Sequence, residues 1–214
     1  MTLVTLSATY GAGGSEVGPA LARRLGVPFV DRLIPSEVAS GLSARLAAAH
    51  QRDEHSRGVA ARLLSSLTPI GQAFGAEAPA ADPMADRKFR EMTERIIFEH
   101  AESGRGVILG RAGAVVLRDD PRALHVRLDG PREARLLQAM RIQSIERRVA
   151  ERRMLETDRA RHAYVRHFKH ADARDPALYH LLLDSTALDL ATCVELIALA
   201  AEDRTRTVAQ EARI

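Results

Sequence analysis

Short apolar runs alternate with longer segments of mixed polarity along most of this 214-residue chain. Five runs have the length of strands: residues 3–6 (LVTL), 27–30 (VPFV), 106–110 (GVILG), 123–128 (ALHVRL) and 178–184 (LYHLLLD). Helical patterns begin near Ser15, Ser36, Asp86, Pro131 and Leu190. Strands that alternate with helices are typical of a parallel sheet covered by helices on both faces. The sequence therefore predicts an α/β fold.

The second and third of these runs are separated by an unusually long interval. It contains helical patterns and, at residues 69–84, a stretch rich in Ala, Pro and Gly. We expect a helical insert at about residues 36–103 within a single domain over residues 1–214. A second excursion, at about residues 141–175, is dense in arginine and poor in apolar residues.

The composition indicates a globular protein. Apolar residues make up 46% of the chain, and no apolar stretch is long enough to span a bilayer. The amino terminus shows no signal-peptide pattern, so we expect a cytoplasmic location. Cys193 is the single cysteine and lies in an apolar helical pattern, which predicts an inert thiol in the core. The eight histidines show no metal-ligand spacing, and we expect them to face solvent.

The positive charge of the chain is carried almost wholly by arginine. The net charge is +3, and lysine occurs only at Lys88 and Lys169. A compositional preference for arginine explains most of this bias. Its consequence is that a bound anion would meet guanidinium groups, whose planar forks match phosphate oxygens. Nucleic-acid binding is not favoured, because aromatic residues make up 4% of the chain and tryptophan is absent.

The segment ATYGAGGSE, at residues 8–16, links the first strand-length run to the first helical pattern. Against the phosphate-loop pattern G-x-x-x-x-G-K-[ST], Ala8 takes the place of the first glycine and Gly14 that of the lysine, while Gly13 and Ser15 match. Glycines let backbone amides curve around phosphate oxygens, and the helix dipole adds partial positive charge. The segment therefore predicts a phosphate site, although a tight turn without a ligand has the same glycines.

Longer blocks of the sequence resemble the cytidylate kinase-like family, a branch of the P-loop nucleoside-monophosphate kinases. The matching blocks are SATYGAGGSEVGPALARRLGVPFVDRLI near the start, VILGRAGAVVL and ALHVRLDGPREARL in the middle, and DRARHAYVRHF and DARDPALYHLLLDSTALDL near the end. The resemblance implies a kinase-like parallel sheet flanked by helices, with an inserted acceptor-binding subdomain and an arginine-rich lid. Three positions depart from the family pattern: Gly14 replaces a lysine, Leu109 an acidic residue, and Ser15 an arginine.

The resemblance also implies an activity and a set of site residues. ATP, with Mg²⁺, would phosphorylate a nucleoside monophosphate, most of all CMP or dCMP, by direct in-line transfer. The implied ATP-binding residues are Gly11, Ala12, Gly13, Gly14, Ser15 and Glu16, and Ser15 would also reach the metal. The implied acceptor-binding residues are Asp31, Arg32, Arg111 and Asp184. The implied catalytic residues are Arg159, Arg161 and Arg152, with Arg159 on the transferring phosphoryl group and the other two in support. Together they would supply the positive charge of the lysine that Gly14 replaces.

Several of these residues have a structural alternative. A glutamate at position 16 also stabilises the amino terminus of a helix, and an aspartate in the turn at position 31 could instead cap the helix predicted to follow. Ser185 or Thr186, beside Asp184, could cap the last helix. The arginines of the lid could belong to a solvated helix laced by Glu–Arg pairs.

Two other functions remain open. The three departures suit a nucleotide-binding regulatory module descended from a kinase, and a small-molecule kinase of the shikimate or gluconate type shares the fold. The expected partners are small-molecule nucleotides, with neither nucleic acid nor membrane, and self-association into a homo-oligomer is left open.

Overall fold

The structure is a computed structural model that describes residues 2–30, 91, 94–95, 97–110, 112–169 and 171–211. At residues 159–164, 166–169 and 211 it describes the backbone alone. Most of the expected insert at 36–103 lies outside the described residues, and so do Asp31, Arg32 and Arg111.

A parallel five-stranded sheet with the strand order β2-β3-β1-β4-β5 forms the centre of the fold. Its strands are β1 (Leu3–Ala8), β2 (Phe29–Val30), β3 (Gly106–Leu109), β4 (Ala123–Asp129) and β5 (Leu181–Asp184). The helices are α1 (Gly14–Leu25), α2 (Gly113–Val116), α3 (Arg132–Gln143), α4 (Arg147–Lys169) and α5 (Leu190–Glu211), and residues 97–102 are also helical. The predicted α/β fold is confirmed. β1 is the central strand, between β3 and β4. The loop that follows it therefore lies at the carboxyl end of the middle of the sheet, where ligands bind in open α/β folds.

Alternate side chains of the strands face two helical layers, as the pleat of a strand requires. On one face, Leu6 packs with Ile197 in a core that α1 and α5 cover. On the other face, Ile108 packs against Ile97. Cys193 is fully buried in the first core, and burial raises the pKa of its thiol, as an inert core cysteine requires. None of the described helices combines the length and the apolar character that a bilayer crossing needs.

The fifth strand is shorter than the apolar run predicts. Residues 176–178 form a 3₁₀ turn, and the strand begins only at Leu181. Pro176 fixes a backbone angle that suits the start of such a turn, and the Asp175 carboxylate accepts a hydrogen bond from the Ala177 amide at 2.9 Å. This local capping removes the first residues of the run from the sheet.

The expectation that all the histidines face solvent is wrong for His125. This residue lies on β4 and is only 3% exposed. Its Nδ1 lies 2.7 Å from the Thr5 hydroxyl, and its ring stacks on the ring of His180 with the centroids 5.0 Å apart. Burial and the neighbouring His180 lower the pKa of His125 to about 4. His125 is therefore a core residue of β4, and its imidazole is neutral at pH 7.

The arginine-rich excursion consists of two helices, α3 and α4. Ser144, in the left-handed conformation with φ of 51°, ends α3 and turns the chain toward α4. The two helices pack together through Leu136 and Met154, and the Tyr10 side chain, from the loop after β1, is buried between them. The excursion is therefore attached to the loop that the sequence predicts to bind phosphate.

Candidate functional site

Two glycines of the loop between β1 and α1 have left-handed backbone angles. Gly11 has φ of 80° and Gly13 has φ of 73°. A Cβ at Gly11 would collide with the Arg135 carbonyl, and a Cβ at Gly13 would lie 2.6 Å from the Leu190 Cδ2. Only glycine meets both the angle and the close approach at these positions. The loop is therefore held closely between α3 and the start of α5.

Three successive carbonyl groups of this loop accept hydrogen bonds from side chains outside it. Arg135 Nη1 donates to the Tyr10 carbonyl at 2.7 Å, and Gln138 Nε2 donates to the Gly11 carbonyl at 3.0 Å. The Ser185 hydroxyl donates to the Ala12 carbonyl at 2.8 Å. Gln138 and Ser185 are 5% and 0% exposed, so water competes little for these bonds. We call these three side chains the carbonyl braces.

Because the carbonyls are held from outside, amides of the same loop are left for a ligand. The amide of Ala12 closes a turn on the Thr9 carbonyl at 3.1 Å. Among the described residues, no partner accepts from the amides of Gly13, Gly14 and Ser15, and these begin α1. Unpaired amides at the first turn of a helix, together with the helix dipole, form an anion site. Ser15 and Glu16 have exposed side chains beside it.

The side chains of Ala8 and Leu109 occupy the space beside Gly14, the position of the missing lysine. A Cβ at Gly14 would lie 2.6 Å from the Ala8 Cβ and 3.3 Å from the Leu109 Cδ1. Ala8 stands where the phosphate-loop pattern has its first glycine. The two departures are therefore complementary, because a side chain at position 8 occupies the space that a side chain at position 14 would need.

A carboxylate lies at the entrance to the loop, at the end of β4. Asp129 accepts a hydrogen bond from the Thr9 hydroxyl at 2.8 Å and from Arg127 Nη2 at 2.6 Å. Burial alone would raise its pKa, but the hydrogen bonds from Thr9 and Arg127 outweigh burial and lower the pKa of this carboxyl. Asp129 is therefore a charged structural link between β1 and β4. No group of three His, Cys, Asp or Glu side chains is arranged for a metal in the described part of the chain.

A second carboxylate, from α4, contacts the loop directly. Asp158 Oδ1 accepts a hydrogen bond from the Tyr10 amide at 2.8 Å, and its Oδ2 lies 2.9 Å from Arg135 Nη1. The charge of Arg135 is therefore balanced by Asp158. An incoming phosphate must find its positive charge on other arginines.

A cavity of about 330 Å³ adjoins the loop on the α3 side. Its walls are Gln138 and Arg141 of α3 and the segment 186–190, which leads into α5. Two of its lining residues also contact the loop, since Gln138 binds the Gly11 carbonyl and Leu190 packs against Gly13. The volume lies at the lower end of the range for small-molecule sites. An anion site and a cavity of this size thus share one wall.

Residues 3–187 match the sequence profile of the cytidylate kinase-like family. The chain belongs to this family. An uncharacterized protein from Eubacterium ventriosum has a similar structure, with a TM-score of 0.63 at 14% identity over 94% of this chain and 99% of that chain. A gluconokinase from Sinorhizobium meliloti gives a TM-score of 0.50 at 13% identity over 98% and 97% of the two chains. At such identities the likeness shows the fold alone, which is that of the P-loop kinases. The comparison with curated proteins found no match.

The structure of this cytidylate kinase-like protein brings the expected ATP-binding residues together in the loop and the first turn of α1. Arg152 is exposed on α4, and Arg159 and Arg161 follow Asp158 on the same helix, where the backbone alone is described. The expected metal ligand Ser15 is exposed beside the loop amides.

Asp184 is the one expected acceptor contact that the structure describes. It ends β5, and the strands β4 and β1 separate β5 from β3. Its Oδ1 accepts hydrogen bonds from the Thr186 hydroxyl at 2.6 Å and the Thr186 amide at 2.9 Å, which lower its pKa. In this cytidylate kinase-like chain Asp184 shapes the turn that leads to the cavity.

The carbonyl braces are site residues that sequence reasoning missed. Arg135 and Gln138 are three residues apart on α3 and therefore share one face of that helix. Gln138 is a buried polar residue, whereas the other buried residues of α3, Leu136 and Ala139, are apolar. A polar residue between apolar ones is the one signal in the sequence that indicates its role. The sequence allows Ser185 or Thr186 to cap the last helix, and in the structure the hydroxyl of Ser185, the third brace, donates to the Ala12 carbonyl at 2.8 Å.

Proposed function

We propose that this protein transfers the γ-phosphoryl group of ATP to a nucleoside monophosphate, with CMP or dCMP favoured by the family. The observation that carries the proposal is the braced loop. Three side chains hold its carbonyls outward, and the amides of Gly13, Gly14 and Ser15 begin a helix beside a cavity. This arrangement supplies a preorganised set of donors for the phosphates of a nucleotide.

ATP would bind with its β-phosphate at the loop amides and its base in the cavity. Gln138 and Leu190 contact the loop and also line the cavity, so the two sites lie side by side. Arg141 lines the cavity and is exposed, so its guanidinium is available to the base or to a phosphate. In this arrangement the cavity serves ATP, and Asp184 belongs to the ATP side rather than to the acceptor.

The charge that the lysine would have provided is assigned to α4. Arg159 and Arg161 lie one and three residues after Asp158, which is itself bonded to the loop. The helix therefore runs past the loop at this point, and its guanidinium groups would stabilise the charge that develops on the transferring phosphoryl group. Arg152 lies nearly two turns earlier and would play a supporting role.

The residues present suit Mg²⁺ in part. Mg²⁺ in kinases is held by one or two protein oxygens, water and the phosphates of the nucleotide. Ser15 offers an exposed hydroxyl at the first turn of α1, whereas Leu109 offers none at the place of the family's acidic residue. Ser15 would hold the ion together with the phosphates, and the ion would supply charge neutralisation.

The acceptor would bind at the β2–β3 end of the sheet, with Asp31, Arg32 and Arg111 as its proposed contacts. An oxygen of the acceptor phosphate forms a bond to the γ-phosphorus while the bond from that phosphorus to the β-phosphate oxygen breaks. ADP then leaves with the electron pair of the broken bond. No covalent intermediate with the protein is required.

A coupled assay for ADP formation, with ATP, Mg²⁺ and a panel of nucleoside monophosphates, tests the proposal. We expect turnover with CMP or dCMP. We also expect that Arg159→Ala lowers kcat by about 100-fold or more, as loss of a charge at the transition state does. Arg206→Ala is the control, because Arg206 is 67% exposed on α5 and pairs only with Asp203 among the described residues. Absence of ADP with every acceptor would rule the proposal out.

A regulatory nucleotide-binding module is the second candidate, and the packing of Ala8 and Leu109 against Gly14 favours it. The two apolar side chains occupy the space that a catalytic lysine would need, while the amides of Gly13, Gly14 and Ser15 remain available to a phosphate. Isothermal titration separates the two functions. A module binds ATP or CMP without consuming ATP, whereas a kinase does both.

A further inference from the structure

The helix α4 contacts the phosphate loop at Tyr10. Its side chain is 8% exposed and packs with Leu136 of α3 and Met154 of α4. Its hydroxyl donates to Gln143 Oε1 at 3.0 Å. A tyrosine buried between two helices fixes the loop residue that carries it, because its ring has few alternative positions in a packed core.

The backbone of Tyr10 belongs to a closed ring of hydrogen bonds. Its amide donates to Asp158 Oδ1 at 2.8 Å, and its carbonyl accepts from Arg135 Nη1 at 2.7 Å. The ring is completed by the 2.9 Å contact between Arg135 Nη1 and Asp158 Oδ2. The side chains of Arg135 and Asp158 are 11% and 18% exposed, so water screens the pair only partly.

The side chain of Asp158 thus bonds α4 directly to the backbone of the loop. Its helical neighbour Met154, four residues earlier, packs against Tyr10 on the same face of α4. Arg161 is three residues later, on this same face by helical spacing, and Arg159 lies about 100° around the helix axis. Any rotation or shift of α4 at Asp158 would move both arginines relative to the loop.

We propose that Asp158 is a positioning residue that holds α4 on the phosphate loop and thereby sets the place of Arg159 and Arg161. This inference rests on the proposed function, since phosphoryl transfer is what the placement serves. The braces Gln138 and Ser185 do not depend on Asp158. Loss of Asp158 therefore leaves the loop able to bind ATP and disturbs the arginines that act in the transition state.

The test compares Asp158→Asn and Asp158→Ala with the control Glu156→Gln, an exposed carboxylate on the same helix. The Asn variant keeps an oxygen for the Tyr10 amide and loses the ion pair, and it preserves the shape if the Ala variant folds poorly. The first measurement is the hydrogen exchange rate of the Tyr10 amide without nucleotide. The second is kcat and KM for ATP.

We expect the Tyr10 amide to exchange about tenfold faster in Asp158→Ala, with Asp158→Asn between it and the wild type. We expect kcat to fall by about tenfold or more while KM for ATP stays within about threefold. Glu156→Gln should match the wild type in both measurements.

Unchanged exchange of Tyr10 in Asp158→Ala, or kinetics like those of Glu156→Gln, would overturn the inference. So would a rise in KM that accounts for the whole loss of kcat/KM, because that pattern indicates damage to ATP binding rather than to positioning. If the wild type transfers no phosphoryl group, the proposed function fails, and the exchange measurement still decides whether Asp158 holds α4 on the loop.

Discussion

A methyl group added at Gly14 should destabilise the protein, and removal of the Ala8 methyl should restore it. The Cβ of Gly14→Ala would lie 2.6 Å from the Ala8 Cβ and 3.3 Å from the Leu109 Cδ1, whereas carbon atoms prefer about 3.5–4.0 Å. Gly14 has no left-handed backbone angle and begins α1, so the substitution introduces no backbone strain.

The expected magnitude follows from two opposing effects. Replacing glycine by alanine at an unstrained helical position gains about 0.4–1 kcal/mol through the unfolded state. Overpacking a buried contact costs about 1–3 kcal/mol. We therefore expect Gly14→Ala to lower the free energy of unfolding by about 1–2 kcal/mol. In Ala8→Gly/Gly14→Ala the 2.6 Å contact with Ala8 is absent and the milder 3.3 Å contact with Leu109 Cδ1 remains, so the double-mutant cycle should show a favourable coupling of about 1–3 kcal/mol.

Urea unfolding of the four proteins, followed by circular dichroism, measures this coupling. The same logic applies to the lysine itself. Gly14→Lys should fold poorly, whereas Ala8→Gly/Gly14→Lys should fold and bind ATP more tightly than the wild type. Strictly additive changes in the cycle, or a Gly14→Ala protein as stable as the wild type, would refute the steric argument.

Two further predictions concern stability. Folding lowers the pKa of His125 from 6.5 to about 4, so the neutral imidazole contributes about 3 kcal/mol to the free energy of unfolding. This contribution is fully present above pH 6.5 and is lost as the pH falls toward 4. Urea unfolding at stepped pH measures this loss, and His125→Gln should flatten the curve over that interval. Ser185→Ala leaves the buried Ala12 carbonyl without its brace, which should cost about 1–3 kcal/mol and weaken binding of an ATP analogue. Thermal unfolding and titration calorimetry would show both effects, and Thr207→Ala, at an exposed hydroxyl on α5, should show neither.

The sheet could be predicted because buried parallel strands are continuous apolar runs, as LVTL and GVILG are. The phosphate loop could be predicted from its glycines. The braces could not, since Arg135 and Gln138 reach loop residues 125 and 127 positions away, and no local pattern reports such a contact. The pairing of Ala8 with Gly14 was hidden for a simpler reason. Each of the two residues is visible in the sequence, but only the fold of the loop brings their side-chain positions into contact.

Leu190 has a double position, with its methyl groups against Gly13 and its side chain in the wall of the cavity. A methyl resonance of this one leucine is therefore a spectroscopic reporter for two compartments at once. A compound that enters the cavity would shift it directly, and an anion that settles on the loop would shift it through Gly13. Fragment screening by methyl-selective labelling would therefore detect ligands of either compartment without an enzymatic readout.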